Sequence, residues 1–197
     1  RGEDHLTNSP RQILLLQALD LPIPEYVHMA LIVGSDNSPL SKRHGSKSVV
    51  ELREEGYLST AVVNYLARLG HYYPEQDNAL LNLQQLAAGF NLQQLGSAPA
   101  RYNEDQLNFW QKLAVAELDE QTLWDWLGSE VHAIVPVEQQ SLFISTIHAN
   151  ITFPVDAYHW AKVFFTDMLE FDTHAINIIS QAGSDFFQAA LDGLEKN

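Results

Sequence analysis

One apolar run in this chain is short, partly β-branched and without helical spacing: Val27 to Val33. It is bounded by Leu21-Pro22-Ile23-Pro24 before it and Gly34-Ser35-Asp36-Asn37 after it. It reads as a buried strand followed by a turn. Almost everywhere else the apolar residues return at helical intervals between cap, proline and glycine signals, so the fold is expected to be mainly α with a small α/β piece near the N-terminus.

The helical signals are specific. Ser9-Pro10, a cap residue followed by proline at the first helical position, starts a helix carrying Ile13, Leu14, Leu16 and Leu19, which Leu21-Pro22 ends. Ser48 with Glu51 three residues on forms a capping box, and Gly56 stops that helix. Ser59 or Thr60 caps the next, with Val62, Val63, Leu66 and Leu69 apolar and Gly70 at its end. A polar loop follows over His71 to Asn82. Further helices are expected at about 83–89, 103–116, 119–127, 136–149, 154–169 and 173–194.

Charge divides the chain. Residues 1–103 hold eight Lys or Arg against ten Asp or Glu, whereas residues 104–197 hold three against fifteen. Nucleic-acid affinity rests on neutralised phosphates, so the first half is the better candidate for RNA contact and the second reads as a solvated acidic helical surface. With 46% hydrophobic and 18% charged residues the chain is expected to be a folded, soluble, cytoplasmic protein. It shows no apolar run of membrane-spanning length and no signal peptide, and no membrane partner is expected. It has no cysteine, which excludes disulfides and thiolate metal sites. The eight histidines lack the i, i+4 spacing of a zinc site. Trp110, Trp124, Trp126, Trp160, Phe164 and Phe165 lie in amphipathic helices and are expected in the core.

After the strand and turn comes Pro39-Leu40-Ser41-Lys42-Arg43-His44-Gly45. A hydroxyl and two cations on such a loop can meet a triphosphate where negative charge builds during adenylyl transfer, although the same residues also compose a solvated basic turn. The flanks carry further motifs: Arg1-Gly2-Glu3-Asp4-His5-Leu6-Thr7-Asn8-Ser9-Pro10-Arg11-Gln12, His28-Met29-Ala30-Leu31-Ile32-Val33-Gly34, Gly56-Tyr57-Leu58, Asn64-Tyr65-Leu66-Ala67-Arg68-Leu69-Gly70 and Ser97-Ala98-Pro99-Ala100-Arg101-Tyr102. In that order and spacing, over about the first 110 residues, the chain closely resembles the second half of the catalytic domain of bacterial glutamyl-tRNA synthetases, class I aminoacyl-tRNA synthetases.

The resemblance implies a set of roles. Lys42 matches the signature-loop lysine that contacts ATP phosphates and stabilises the transition state of adenylation, with Ser41 and Arg43 adding a hydroxyl and a second charge. Leu31 and Ile32 match the pair whose backbone groups recognise adenine. Arg1 matches the arginine that pairs with a carboxylate of bound glutamate; at the extreme terminus it is expected to be poorly ordered. Arg53, Arg68 and Arg101 are the tRNA-contact candidates. Pro39 stands where the family usually has lysine, which removes a charge and stiffens the loop.

The resemblance further implies a partial protein without the N-terminal nucleotide-binding half and inactive alone: residues 1–46 end the catalytic domain, 47–102 form a stem-contact module, and 103–197 an anticodon-binding-like helical domain. The implied reaction is ATP-dependent ligation of glutamate to tRNA-Glu by a monomer, with Mg2+ accompanying ATP and no zinc in this segment. A non-catalytic tRNA-binding or regulatory paralogue, suggested by Pro39 and the acidic second half, is the alternative.

Overall fold

The computed structural model of the protein describes residues 1–34, 36–38, 40, 47–74, 79–166, 171 and 173–194. Its order is α1 (Ser9–Ala18), β1 (Ile32–Val33), α2 (Val49–Glu54), α3 (Ser59–Leu69), α4 (Leu83–Ala88), β2 (Ala100–Arg101), α5 (Glu104–Ala116), α6 (Glu120–Leu127), α7 (Ser129–His132), α8 (Gln140–Ile147), α9 (Pro154–Phe165) and α10 (Thr173–Leu194). The mainly α expectation holds. Ser41, Lys42, Arg43 and Pro39 lie outside the described residues.

The expected strand is smaller than its sequence run. Only Ile32 and Val33 are strand, paired in parallel with Ala100 and Arg101, while Met29 makes an isolated bridge to Gly2. Val27 is 41% and Met29 43% exposed, so most of the run is extended surface and not buried sheet. The physical reason is the partner: β2 offers two residues, too few to order seven.

Start signals succeed where the side chain itself caps. Ser48 accepts from the Glu51 N–H, and the Glu51 carboxylate accepts from the Ser48 N–H at 2.6 Å. Asn82, Asn103 and Asp119 cap α4, α5 and α6 in the same way, each accepting from the N–H three residues on. Ser9 does not cap: Asn8 holds the N-cap position of α1, and the buried Ser9 hydroxyl donates to the His5 carbonyl and meets His28 Nε2 at 2.8 Å. Leu58, rather than Ser59 or Thr60, is the N-cap of α3. The expected helix over 136–149 resolves into α8 flanked by 3-10 turns at Val137–Gln139 and His148–Asn150. Gly183, at φ 73, breaks α10, and none of the described α10 side chains is buried.

Two apolar cores meet at α5. Leu107, Trp110 and Ala114 pack with Leu52, Ala61, Val62 and Tyr65 from α2 and α3. Val115 packs with Leu123, Leu127, Val131, Phe143 and Ile147 from α6, α7 and α8, and with Ala157 and Ala161 from α9. The stripe 107, 110, 114 follows the helical period, so α5 gives one face to each core. Of the aromatic residues expected inside, Trp110 is buried at 6%, but Trp160 and Phe164 remain 38% and 48% exposed, stacked on each other at 5.5 Å, with Phe164 edge-on to the core ring of Phe143.

Candidate substrate site and its supports

The chain from Arg1 to Tyr102 converges on the strand pair. The Arg1 N-terminal amine donates to the Val27 carbonyl at 2.9 Å, and the Arg1 carbonyl accepts from the Met29 N–H at 2.7 Å. Its guanidinium stacks over the Tyr26 ring at 4.6 Å and reaches the Ser9 hydroxyl at 3.4 Å. Arg1 is therefore held at both its backbone and its side chain, contrary to the expectation for a terminal residue. A planar guanidinium is the group that can meet a carboxylate with two parallel bonds.

Arg1, Leu31 and Ile32 line one pocket of about 400 Å³, with Leu66 and Leu69 of α3 and Ala100 of β2. Their backbone groups differ in availability. The Leu31 N–H donates to Glu3 Oε1 at 3.3 Å and its carbonyl accepts from the Ala100 N–H at 3.1 Å. The Val33 carbonyl accepts from the Tyr102 N–H at 2.9 Å. In parallel pairing alternate residues face the partner strand, so the N–H and C=O of Ile32 face away from β2. Ile32 is the residue of the pair whose backbone is aimed at the open side.

After β1 the chain turns at Gly34 to Ser38. The Gly34 N–H donates to the Ser38 carbonyl at 2.8 Å, Asp36 accepts from both the N–H and hydroxyl of Ser38, and Asn37 sits at φ 62. Arg101 Nε donates to Asn37 Oδ1 at 3.1 Å, which joins β2 to this turn across 64 residues of sequence. Arg101 thus stands beside the strand and turn that lead to the signature stretch.

The three arginine candidates fall into different surroundings. Arg53 is exposed on α2, and Arg101 is exposed at the turn. Arg68 is partly buried: it donates to the Asn64 side-chain oxygen at 2.7 Å and to the Ala79 carbonyl at 2.8 Å, and it lies over the Trp110 ring at 4.3 Å and the Tyr73 ring at 5.5 Å. A guanidinium desolvated against two rings and two oxygens acts first as an anchor of α3 on the 79–81 segment.

Several supports carry no motif. Lys47, directly after the signature stretch, donates to Glu55 at 2.7 Å and Glu104 at 2.8 Å, tying the ends of α2 and α5. Those hydrogen bonds raise its pKa well above the ordinary lysine value, so it stays charged. Asn64, fully buried, donates to the carbonyls of Thr60 and Leu81 and accepts from the Leu81 N–H and Arg68. Tyr57 donates to Asn108 at 2.5 Å, and burial pushes its phenol up to about 12. Sequence reasoning missed these because each partner lies far along the chain. The only sequence signal is a polar residue, such as Asn64, on the apolar stripe of an amphipathic helix. Among the described residues no group of three or more His, Asp or Glu could hold a metal, and no helix is long and apolar enough to cross a membrane.

Comparison with known proteins accounts for this arrangement. The family model of class I tRNA synthetases (E and Q), catalytic domain, matches residues 1–109. Glutamate--tRNA ligase 2 of Coxiella burnetii (strain RSA 331) is 48% identical over 196 residues, covering all of this chain and 42% of the relative. Glutamate--tRNA ligase 2 of Nitrosococcus oceani is 53% identical over 195 residues, covering 99% of this chain and 41% of the relative. The chain thus spans about 42% of the length of the curated relatives it matches. A crystal structure of a glutamate tRNA ligase from Elizabethkingia meningosepticum in complex with its amino acid shares the fold. Its TM-score is 0.78 at 24% identity, over all of this chain and 42% of that one. The family match covers more than half of the chain, which belongs to the class I tRNA synthetases (E and Q).

Proposed function

We propose that the protein carrying this chain ligates glutamate to tRNA-Glu with ATP, in the cytoplasm and as a monomer. The observation that carries the reading is the shared pocket of Arg1, Leu31 and Ile32, in a chain 48% identical throughout to a protein named glutamate--tRNA ligase. The arrangement suits the reaction. Glutamate presents its side-chain carboxylate to the Arg1 guanidinium, and adenine meets the outward backbone groups of Ile32. An α-carboxylate oxygen of glutamate attacks the ATP α-phosphorus and pyrophosphate leaves. A ribose hydroxyl at the tRNA terminus then attacks the carbonyl carbon of the adenylate, and AMP leaves.

Lys42 supplies positive charge where the phosphoryl oxygens become most negative, with Ser41 and Arg43 on the phosphates beside it. Mg2+ would accompany ATP on its phosphates. Phosphate contacts to tRNA are assigned to the exposed Arg53 and Arg101, and Arg68 is assigned to holding α3. The module boundaries at 46/47 and 102/103 are kept, with α5 as the shared wall.

The test is Lys42→Ala in the full-length protein. Glutamate- and tRNA-supported ATP–pyrophosphate exchange is expected to fall about 10²-fold or more, as for loss of a transition-state charge contact. Exchange at the wild-type rate overturns the assignment.

A further inference from the structure

The side chain of Gln111 is fully buried between the two cores, and its amide is bonded at both ends. Its oxygen accepts from the Leu58 N–H at 2.9 Å, at the start of α3. Its nitrogen donates to the Gly56 carbonyl at 3.2 Å, in the turn after α2, and to the Thr152 carbonyl at 3.0 Å, in the turn before α9. Gln111 itself stands on α5, so one amide ties that helix to the 56–58 turn and to the turn before α9.

The surroundings close on the same point. Trp126 of α6 donates from Nε1 to the same Gly56 carbonyl at 3.0 Å. Gly56 has φ +94, and a Cβ there would sit 2.6 Å from Pro154 Cδ at the start of α9. The rings of Tyr57 and Phe153 meet edge to face at 4.8 Å. Together these contacts tie the residues after the signature stretch, partly through α5, to α6 and the turn before α9. Apolar packing alone tolerates sliding, whereas buried amide bonds to fixed carbonyls admit one geometry.

We propose that Gln111 is a positioning residue that sets the angle between the 47–102 module and the helical module that begins with α5, and thereby the path of a tRNA lying across both. The inference rests on the proposed ligase reading, in which tRNA meets both the 47–102 stem-contact module and the 103–197 anticodon-binding-like module. A long, rigid substrate touching two modules is sensitive to this angle, because a small rotation at the junction displaces the far module by more. ATP and glutamate, bound near Arg1 and Ile32, do not span the junction. Loss of the lock therefore weakens tRNA use selectively.

The experiment compares Gln111→Met, which keeps length and removes the three bonds, with wild type in the full-length protein. Trp126→Phe, which removes one bond to Gly56, is the milder variant should the first fail to fold. Ile147→Ala, which opens the second core away from the junction, controls for lost stability. Steady-state aminoacylation is expected to give Gln111→Met an apparent KM for tRNA raised about tenfold, with kcat and the KM values for ATP and glutamate within about twofold of wild type. Trp126→Phe moves the tRNA KM in the same direction by about two- to threefold. Ile147→Ala lowers Tm and leaves the tRNA KM in place.

A tRNA KM unchanged in both junction variants, or raised equally in the Ile147→Ala control, overturns the proposal and leaves Gln111 a purely structural residue. Aminoacylation by the wild-type protein, measured alongside, separates the two readings. If the wild type charges no tRNA with glutamate, the ligase assignment falls; if it charges tRNA while the junction variants keep the tRNA KM, only the role of Gln111 falls.

Discussion

The two cores are built from different materials. The second is aliphatic and aromatic throughout, with Val115, Leu123, Val131, Ile147, Ile151, Ala157 and Ala161 each at 1% exposure or less. The first is threaded with polar groups: Asn64 at 0%, the Tyr57 and Tyr65 hydroxyls, and an arginine over a tryptophan ring, with Gln111 on its boundary. An apolar core yields its free energy from area removed from water and is forgiving of small shifts. A polar core contributes less net free energy but fixes which backbone group lies opposite which. The first core adjoins the candidate substrate site through α3 and β2, so geometry is specified where chemistry is proposed, and bulk stability is supplied farther away.

The strongest challenge to that contrast is Ile147→Ala. At 1% exposure its removal leaves a cavity, and a loss of about 4 kcal/mol is expected. Urea melts measure it; a loss under about 1 kcal/mol would mean that the second core collapses around the gap and is not tightly packed.

Asn64→Leu comes next. It strands the N–H and carbonyl of Leu81 and uncovers Arg68, at an expected cost of about 3 kcal/mol. Hydrogen exchange at the Leu81 amide should rise more than the global stability loss explains. If exchange and stability fall in step, Asn64 contributes packing and not local geometry.

Tyr57→Phe is expected to cost about 1 kcal/mol for one hydrogen bond near neutral pH. It also sharpens the contrast at alkaline pH. Burial raises the folded phenol to about 12 from an ordinary 10, so unfolding makes proton release easier. The contribution is complete below pH about 10 and is lost as pH rises toward about 12. Stability melts between these limits should fall less steeply in Tyr57→Phe than in wild type; equal slopes would show that the phenol ionises alike in both states.

The smallest effect belongs to Lys47→Met. Two partly exposed ion pairs are expected to contribute about 0.5–1 kcal/mol at low salt, and the difference from wild type should fade at about 0.5 M salt. A salt-independent difference would place Lys47 among the packed residues of the first core.

What the sequence revealed follows the same division. Signals confined to one turn of helix were readable: the Ser48–Glu51 box and the stops at Gly56 and Gly70. The stripe of α5 was readable as apolar but not as two-sided, because the second face shows only when α6 to α9 are in place. The strand was overextended because its length is set by Ala100 and Arg101, not by the β-branched residues of the run itself. Arg68 was read as a surface cation since the Ala79 carbonyl and the Trp110 ring lie elsewhere in the chain. For the candidate site, Arg1, Leu31 and Ile32 were proposed through motif likeness, and all three line one pocket. That Ile32, rather than Leu31, turns its backbone outward depends on the register with β2.

The bond from Trp126 to Gly56 also orders events in time. It spans 70 residues, and Gln111 reaches Thr152 across 41. On a chain made from its N-terminus, the turn at Gly56 exists long before α6, and α6 before the segment that ends in Pro154. Helices α2, α3 and α5 can collapse onto one another early, since their contacts need only the chain to about Ala116. The Gly56 carbonyl gains its second donor only once Trp126 has been added, and the Gln111 nitrogen its second acceptor only once Thr152 has. Synthesis therefore delivers the polar core first in outline and last in detail, with its geometry completed by the very helices that supply the aliphatic one.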